Sequence, residues 1–371
     1  MDVEGKYTYH IRIARQFAMY YSNPYEIGPI RPPSEANSLL IRVSRNCPWN
    51  KCEFCPIYKR HLFEKRPVED ILKDIDAAAE THGDAFRTAF LQDANSLLLK
   101  TPDLLKVIAH LKNRFPGVDR VTSYARARTA ARKTVDELKQ LHEAGLSRLH
   151  IGLETGYDAL LAYMKKGMTA DMAAEAGLRI KQSGISLCFY VIIGLGGQLK
   201  LEDKETWREH AVETAKVLNR VDPDYIRVRT LTVRESSPLF DKQQEGEFKR
   251  ASDADLVKEE LLMIEHLNVT SQFVSDHSTN ILMDIKGKFP EDKENLITLA
   301  KRYLALSEEE QLNFRLGSLF RFFGYSPNYR NFKDFFNSAK RAEMQTTIDK
   351  MEAKEPGSSY RLLLRLNNML V

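Results

Sequence analysis

The chain has 371 residues, more than most domains with a single core, and this length predicts one large domain with extensions. Hydrophobic residues make up 43% of it and charged residues 29%, which is typical of soluble globular proteins and argues against disorder or a fibrous structure. The 55 Lys and Arg exceed the 51 Asp and Glu by a net charge of +4, a bias too small to indicate a nucleic-acid partner.

The N-terminal sequence predicts an irregular extension over residues 1–36. Asn-Pro, Gly-Pro and Pro-Pro steps punctuate this stretch too densely for regular elements. It lacks the basic and apolar segments of a secretory signal, and the longest apolar run, 187–193, is too short to cross a bilayer. We therefore expect a cytoplasmic protein without a membrane partner, in which clustered cysteines hold metal.

Short apolar runs alternate with segments of helical spacing from residue 37 onward, and this alternation predicts an α/β fold. The predicted strands cover 38–43, 85–91, 120–124, 148–153, 185–193 and 225–231. The predicted helices between them include 70–82, 101–114, 134–144 and 169–182. Connections of this kind are right-handed and give parallel sheets, so we predict a partial (β/α)6-type TIM barrel over residues 37–240.

The alternation stops near residue 240, and residues 241–371 are predicted to form a mostly helical C-terminal region. Two helices are predicted at 253–268 and 291–306, and one further strand at 271–275. An irregular aromatic segment follows at 325–336, and a terminal helix at 339–371 is broken at a Pro-Gly step.

Three of the four cysteines form the strongest signal in the chain. Cys47, Cys52 and Cys55 follow the first predicted strand in a CxxxxCxxC loop, where a parallel barrel builds its active site. Three metal centres fit the spacing: a 4Fe-4S cluster with one open iron, a plant-type 2Fe-2S centre completed by Cys188, or a zinc site completed by His61. A cysteine inside a strand, such as Cys188, more often packs as a small apolar residue.

Further candidate residues lie at or shortly after the ends of other predicted strands. They are Gln92 and Asp93 after the second strand, Glu154 at the end of the fourth with Lys166 beyond it, and Tyr190 and Gly194 in the fifth. Because side chains alternate along a strand, Glu154 shares a face with His150 and Gly152 and is expected to point into the barrel.

Together with Phe54, just before the last cysteine, these stretches resemble the radical S-adenosylmethionine (SAM) superfamily. The resemblance is to the branch of oxygen-independent coproporphyrinogen oxidases and methylthiotransferases, where the usual spacing is CxxxCxxC, so this chain has one extra residue between the first two cysteines. It implies that the three cysteines ligate a 4Fe-4S cluster whose fourth iron binds SAM. The SAM-binding residues that it implies are Phe54, Gln92, Asp93, Glu154, Lys166, Tyr190 and Gly194.

The resemblance also implies individual roles. Asp93 or a nearby backbone carbonyl accepts from the amino group of the methionine, and Glu154 binds the ribose hydroxyls. Lys166 binds the methionine carboxylate, and the glycine-rich end of the fifth strand flanks the adenine. Trp49 and Tyr58 are expected to shield the cluster from water and oxygen.

The function implied by this resemblance is that of an oxygen-sensitive oxidoreductase. The reduced cluster cleaves SAM, and the 5'-deoxyadenosyl radical removes hydrogen from an unidentified substrate, a small molecule or a modified macromolecule. An external electron donor such as flavodoxin or ferredoxin is implied as well. Only Cys188 remains for a second cluster, so none is expected. The alternative is a 2Fe-2S electron-transfer protein with Cys188 as the fourth ligand.

Inward-facing cations are the candidates for substrate recognition. Arg227 and Arg229 alternate with apolar residues in the sixth strand, and Arg126 and Arg128 follow the third. Buried arginines are costly unless they are paired, so they bind carboxylate or phosphate groups or form salt bridges with inward carboxylates such as Glu154. A further candidate, His277, follows the last predicted strand and either lines the substrate mouth or is structural.

Overall fold

The structure is a computed structural model that describes residues 24–369. Most of the predicted irregular extension, up to residue 23, therefore lies outside the described residues. Its remaining part is irregular apart from one 3-10 turn at Pro33–Glu35. No helix in the described part of the chain is long and apolar enough to cross a membrane.

The centre of the fold is an eight-stranded sheet in which the strands follow one another in chain order. Its strands are β1 (Leu39–Arg42), β2 (Thr88–Gln92), β3 (Arg120–Ala125), β4 (Leu146–Glu154), β5 (Ser186–Ile193), β6 (Tyr225–Thr230), β7 (Gln272–Val274) and β8 (Lys286–Lys288). The first seven are parallel, and β8 pairs antiparallel with β7. β1 and β8 form the two edges, so the barrel is partial, as predicted.

Helices connect the parallel strands and continue through the C-terminal region. They are α1 (Val68–His82), α2 (Thr101–Arg114), α3 (Ala127–Ala130), α4 (Val135–Ala144), α5 (Asp158–Tyr163), α6 (Ala170–Gln182), α7 (Thr206–Val221), α8 (Pro238–Gln244), α9 (Asp253–His266), α10 (Lys293–Leu304), α11 (Glu308–Phe323), α12 (Phe332–Phe335), α13 (Ser338–Lys354) and α14 (Ser358–Met369). In the barrel, the ends of the elements that were predicted differ from the observed ends by at most three residues. The helices α3, α5, α7 and α11 and the strand β8 were not predicted.

Local sequence explains how these elements begin and face. Thr134 starts α4 with a capping box in which its hydroxyl accepts from the amide of Glu137, and Gly145 ends the helix in the left-handed conformation. Along β4, Leu149, Ile151 and Leu153 are buried in the apolar core against the helices. The opposite side of each strand is left to face the barrel interior.

The C-terminal region is joined to the barrel by a continuous apolar core. Helix α9 packs between α7 and α10, and β7 and β8 extend the sheet beyond residue 240. The extra strand predicted at 271–275 is confirmed as β7, and the predicted break in the last helix separates α13 from α14. These strands bring His277 to the same end of the sheet as the cysteine loop.

Candidate functional site

A cavity of about 770 Å³ lies at the carboxyl ends of the parallel strands. Its walls come from the cysteine loop and from residues of β3 to β6 and of the loops that follow β2 and β7. All three clustered cysteines line it. Pockets for small-molecule ligands usually measure about 300–1,000 Å³, so this one has the size of a ligand site.

The thiols of the cysteine loop lie close enough to influence one another. Burial raises the pKa of Cys52 to about 11, with Cys55, Glu154 and Cys47 adding to the increase and Lys166 opposing it. Burial likewise raises the pKa of Cys55. Burial therefore favours the protonated form of these two thiols, and a bound metal centre would deprotonate them.

The loop between the first two cysteines folds back on itself at Asn50. This residue has a left-handed backbone with φ of 47°. Its side-chain amide donates to the carbonyl oxygens of Tyr58 at 2.6 Å and His61 at 3.3 Å, and its own carbonyl accepts from Lys59 Nζ at 2.9 Å. The additional residue of the CxxxxCxxC spacing thus lies in a loop that is closed by hydrogen bonds.

Asp93 anchors the cysteine loop to the end of β2. Its fully buried carboxylate pairs with Arg42 at 2.7 Å, and the same oxygen accepts from the amide of Asn46 at 3.1 Å. The Tyr58 hydroxyl donates to the other oxygen. The prediction that Asp93 accepts from a ligand amino group does not fit this arrangement, because both of its oxygens are already bonded and it does not line the cavity.

The side chain of Gln92 is also bonded to the protein itself and not directed at the cavity. Its amide oxygen accepts from the backbone of Gly28 at 2.9 Å, and its amide nitrogen donates to the carbonyl of Ile30 at 2.7 Å. Gln92 therefore fastens the segment before β1 to the barrel, and it is absent from the lining of the cavity. Ala94, two positions further on, is the residue of this stretch that reaches the cavity.

Glu154 and Lys166 form an ion pair in the cavity wall. Lys166 Nζ lies 2.5 Å from Glu154 Oε1, and both side chains are largely buried. A β-bulge between Gly152 and Glu154 interrupts the alternation of β4 and re-aims the glutamate. A Cβ at residue 152 would overlap the Glu154 carboxylate, so glycine keeps this part of the cavity open. Burial opposes the charge of Lys166, but Glu154 and Cys52 outweigh it and raise the lysine pKa.

Phe54 and Tyr190 line the cavity as expected, whereas Gly194 does not. Phe54 packs beneath the ammonium of Lys166, which lies 5.7 Å from the centre of its ring. Gly194 has φ of 79° and faces α9, where a Cβ would overlap Leu256. The position of β5 that lines the cavity near this end is Ile192, so the predicted contact of Gly194 with a ring is not supported by its direction.

The candidate substrate residues lie on one wall. Arg229 and His277 line the cavity, and Arg227 is buried one strand repeat below Arg229. Arg227 pairs with Asp276 at 3.4 Å, and Arg229 stacks on the Tyr190 ring at 5.3 Å. Salt bridges from these arginines to Glu154 are not formed, since Glu154 pairs with Lys166.

The two alternative fourth ligands lie outside the cavity that the three cysteines share. Cys188 is buried in the first half of β5, beside His150 of β4 and Tyr225 of β6, and burial raises its pKa to about 12. It is five residues from the end of its strand, about 17 Å at 3.3 Å per residue. His61 lines a separate surface pocket with Arg60. Neither residue lines the cavity that the three cysteines share.

Comparison with known proteins identifies the domain that builds this cavity. The family model described as the Radical SAM superfamily matches residues 41–208. These residues are a radical SAM superfamily domain. The match runs from the second half of β1 to beyond β5 and includes the cysteine loop. Radical SAM enzymes use a 4Fe-4S cluster and SAM, and they require an electron donor and a substrate.

The relatives of this chain are distant. The tRNA uridine(34) acetyltransferase of Methanocaldococcus jannaschii is 23% identical over 124 residues, which cover 33% of this chain and 22% of that protein. The tRNA-2-methylthio-N(6)-dimethylallyladenosine synthase of Nitrosomonas europaea is 25% identical over 190 residues, 48% of this chain and 42% of that protein. The matched region thus spans less than half the length of either relative.

Two solved structures resemble part of this chain. Methylornithine synthase is 18% identical, with a TM-score of 0.43 over 71% of this chain and 70% of that chain. Coproporphyrinogen III oxidase from Escherichia coli is 16% identical, with a TM-score of 0.36 over 48% of this chain and 38% of that chain.

The donor set of the cavity fits both radical SAM cofactors. Thiolates are the usual ligands of iron-sulfur clusters, and three cysteines face one space. A carboxylate, an ammonium group and the open position beside Gly152 lie in the same space, where they suit the hydroxyl and carboxylate groups of SAM.

Two anchoring residues of the radical SAM site were not predicted from the sequence. Arg42, which holds Asp93, is the last residue of β1 and faces away from the core that buries Leu39 and Ile41. Glu53 lies between the second and third cysteines, is almost fully buried, and pairs with Lys165 at 2.5 Å. The sequence signals that mark them are a charged residue at the end of the strand before the cysteine loop and a charged residue inside the loop.

Gly167 is expected to resist substitution because Trp49 packs directly on it. Its φ is +72°, and a Cβ would overlap the indole, whose Nε1 donates to the Lys165 carbonyl at 2.7 Å. Gly167→Ala should displace Trp49, shift its fluorescence, and destabilise the fold by more than the 1–2 kcal/mol or so that a positive φ alone costs. Gly246→Ala is the control, because its φ is +81° with no neighbour near the added Cβ. Equal losses of stability in both variants would contradict the packing argument.

The buried side chain of Glu260 is expected to make part of the folding stability depend on pH. Burial, reinforced by Glu259, raises the pKa of Glu260 to about 8. Unfolded glutamate titrates near about pH 4.3, so between that pH and about 8 the folded state keeps a proton that the unfolded chain has lost, and stability falls as pH rises.

Glu260→Gln is expected to remove this pH dependence. Denaturant unfolding at pH 5 and pH 8 should show a smaller loss of stability in the variant than in the wild type. Glu265→Gln is the control on the same helix, where Glu265 forms a surface pair with Lys301 at 3.2 Å. Stability would be measured for both variants at pH 5 and at pH 8. If the loss between the two pH values is the same in Glu260→Gln and in Glu265→Gln, the prediction that folded Glu260 is protonated is contradicted.

Proposed function

We propose that Cys47, Cys52 and Cys55 ligate a single 4Fe-4S cluster and that the enzyme abstracts a hydrogen atom from its substrate. When bound, the cluster and SAM supply a 5'-deoxyadenosyl radical. The observation that carries the proposal is the shared cavity, which brings the three thiols, Glu154 and Lys166 into one space at the strand ends. Each of these groups has a chemical counterpart in the cluster or in SAM.

The protein's own residues would bind and orient SAM. Lys166 offers an ammonium group to the methionine carboxylate, and Glu154 accepts from the ribose hydroxyls. In the structure these two side chains neutralise each other, so they would exchange their mutual contact for contacts with SAM. Phe54 and Ile192 supply apolar surface on the cavity wall for the adenine and the sulfonium.

The loop residues would exclude water and hold the thiols in position. Tyr58 is buried and donates to Asp93, and Trp49 covers the loop from the side of Gly167. Glu53 donates its amide to the Met164 carbonyl at 3.0 Å and accepts from the amide of Leu239, which ties the loop to α8. Because the loop is bonded on both sides, the cysteines would keep their spacing when the cluster is reduced. Flavodoxin or ferredoxin is the proposed electron donor.

Anaerobic reconstitution tests the proposed function directly. We expect about four irons per chain, a reduced cluster whose electron paramagnetic resonance spectrum changes on addition of SAM, and formation of 5'-deoxyadenosine with a chemical reductant. A 2Fe-2S electron-transfer protein would give two irons and a spectrum that SAM leaves unchanged. A zinc site would give zinc without iron.

A further inference from the structure

The cavity has a strong excess of positive charge. Among the described residues, six cationic side chains line it, and Glu154 is the one carboxylate. The cations are Arg31, Arg126, Arg128, Lys166, Arg229 and Arg234. Glu154 is already paired with Lys166, so it does not neutralise Arg229. A bound group with negative charge would offset this excess of positive charge.

The excess of positive charge extends below the cavity to Arg227, which is buried one strand repeat below Arg229. The Arg227 side chain is 9% exposed, and its Nε and Nη1 make no hydrogen bond within residues 24–369. The neighbouring Asp276 lies 3.4 Å from Nη1, which offsets the charge without satisfying these donors. A buried guanidinium with unused donors is costly, and an oxyanion nearby would satisfy it.

Arg229 lies directly above Arg227 on the same face of β6, because Ile226 and Val228 between them belong to the core. It stacks on Tyr190 and makes no ion pair with a carboxylate of the described chain. Burial together with Arg229 and Arg227 lowers the pKa of His277 to about 3, so this histidine is neutral and its ring faces positive charge. Arg229 and His277 line the cavity and Arg227 lies below Arg229, so the three side chains form one wall with two guanidinium groups and a neutral imidazole.

We infer that this wall, formed by Arg227, Arg229 and His277, binds an oxyanion group of the substrate, a carboxylate or a phosphate, on a small molecule that enters the barrel. The inference rests on the proposed function, in which Lys166 and Glu154 serve SAM and leave the wall for the substrate. A small molecule fits better than an RNA backbone because Arg227 is buried at the floor of the cavity and Arg229 is partly covered by Tyr190.

Anion binding to the reconstituted protein with SAM present tests the inference. Inorganic phosphate and succinate are the probes, titrated by calorimetry at constant ionic strength, and the tighter of the two identifies the class of oxyanion. Arg229→Gln should weaken the tighter probe by about 10–100-fold, the effect of losing one charge-assisted hydrogen bond. Arg229→Lys should restore part of that loss. Arg220→Gln is the matched control, since Arg220 is half exposed and pairs with Asp171 on the surface.

Five results would decide against the inference or separate it from the proposed function. It is overturned if the wild type binds neither probe, or if Arg229→Gln and Arg220→Gln bind them equally. Loss of SAM affinity in Arg229→Gln by the same factor would assign the arginine to the cofactor. Displacement of phosphate by a 20-nucleotide RNA hairpin would replace the small molecule with RNA. Arg229-dependent binding without 5'-deoxyadenosine formation by the wild type would refute the proposed function and leave the anion site standing.

Discussion

Cys52→Ala is expected to abolish cluster binding and reduce 5'-deoxyadenosine formation by more than about 100-fold, beyond the 10–100-fold typical of residues that only support a metal ligand. The reason is that Cys52 shares its cavity with Cys47 and Cys55, and two thiolates cannot hold three irons. Iron content, the visible absorption of the cluster and the yield of 5'-deoxyadenosine measure the effect after anaerobic reconstitution.

Cys188→Ala is the matched control for this prediction. The Cys188 thiol is buried in the first half of β5, and removing it is expected to lower the stability by about 1 kcal/mol. The iron content should stay at the wild-type value. Loss of the cluster in Cys188→Ala would support the 2Fe-2S alternative and contradict the radical SAM ligand set. Retention of iron in Cys52→Ala would contradict it equally.

Asp93→Ala is expected to destabilise the protein by more than the 1–3 kcal/mol or so that one unsatisfied buried group costs, because it leaves the buried hydroxyl of Tyr58 without its acceptor and removes one of the two carboxylates that pair with Arg42, Glu26 being the other. The same change frees the amide of Asn46, next to the first cysteine. The cluster should therefore also be lost faster to a chelator. Denaturant unfolding and the rate of iron release measure the two effects.

Tyr58→Phe separates the two contributions of this anchor. It removes one donor to Asp93 and leaves the Arg42 pair, so its cost should be near the 1–3 kcal/mol or so of an unsatisfied buried acceptor. Asp119→Ala, at an exposed position before β3, is the control and should change neither quantity. If Asp93→Ala releases iron no faster than Asp119→Ala, the carboxylate does not hold the loop.

Periodicity was sufficient to predict the sheet and most helices, because apolar alternation and helical spacing are local properties of the sequence. The strand at Gln272–Val274 and the break between α13 and α14 were both predicted in this way. The C-terminal strands that extend the sheet past residue 240 were harder to place, since pairing between β6 and β7 depends on contacts distant in sequence.

The contents of the site could be predicted only in part. Glu154 and Lys166 lie in the cavity, but no local pattern shows that they pair with each other. Asp93 and Gln92 are correctly placed at a strand end, yet their side chains are taken by Arg42 and by the backbone before β1. Gly194 comes directly after β5 and faces α9, where a Cβ would overlap Leu256. Such partners are fixed by tertiary packing.

The closed turn at Asn50 has a consequence for the way such proteins are recognised. The turn and its hydrogen bonds to Tyr58 and His61 absorb the additional residue within the loop, while Asn46 and Glu53 fix the chain on either side. The positions of the three sulfurs are therefore set by these anchors and not by the number of residues between them. A search restricted to the CxxxCxxC pattern would pass over this chain, whereas one that looked for the anchors around the loop would find it.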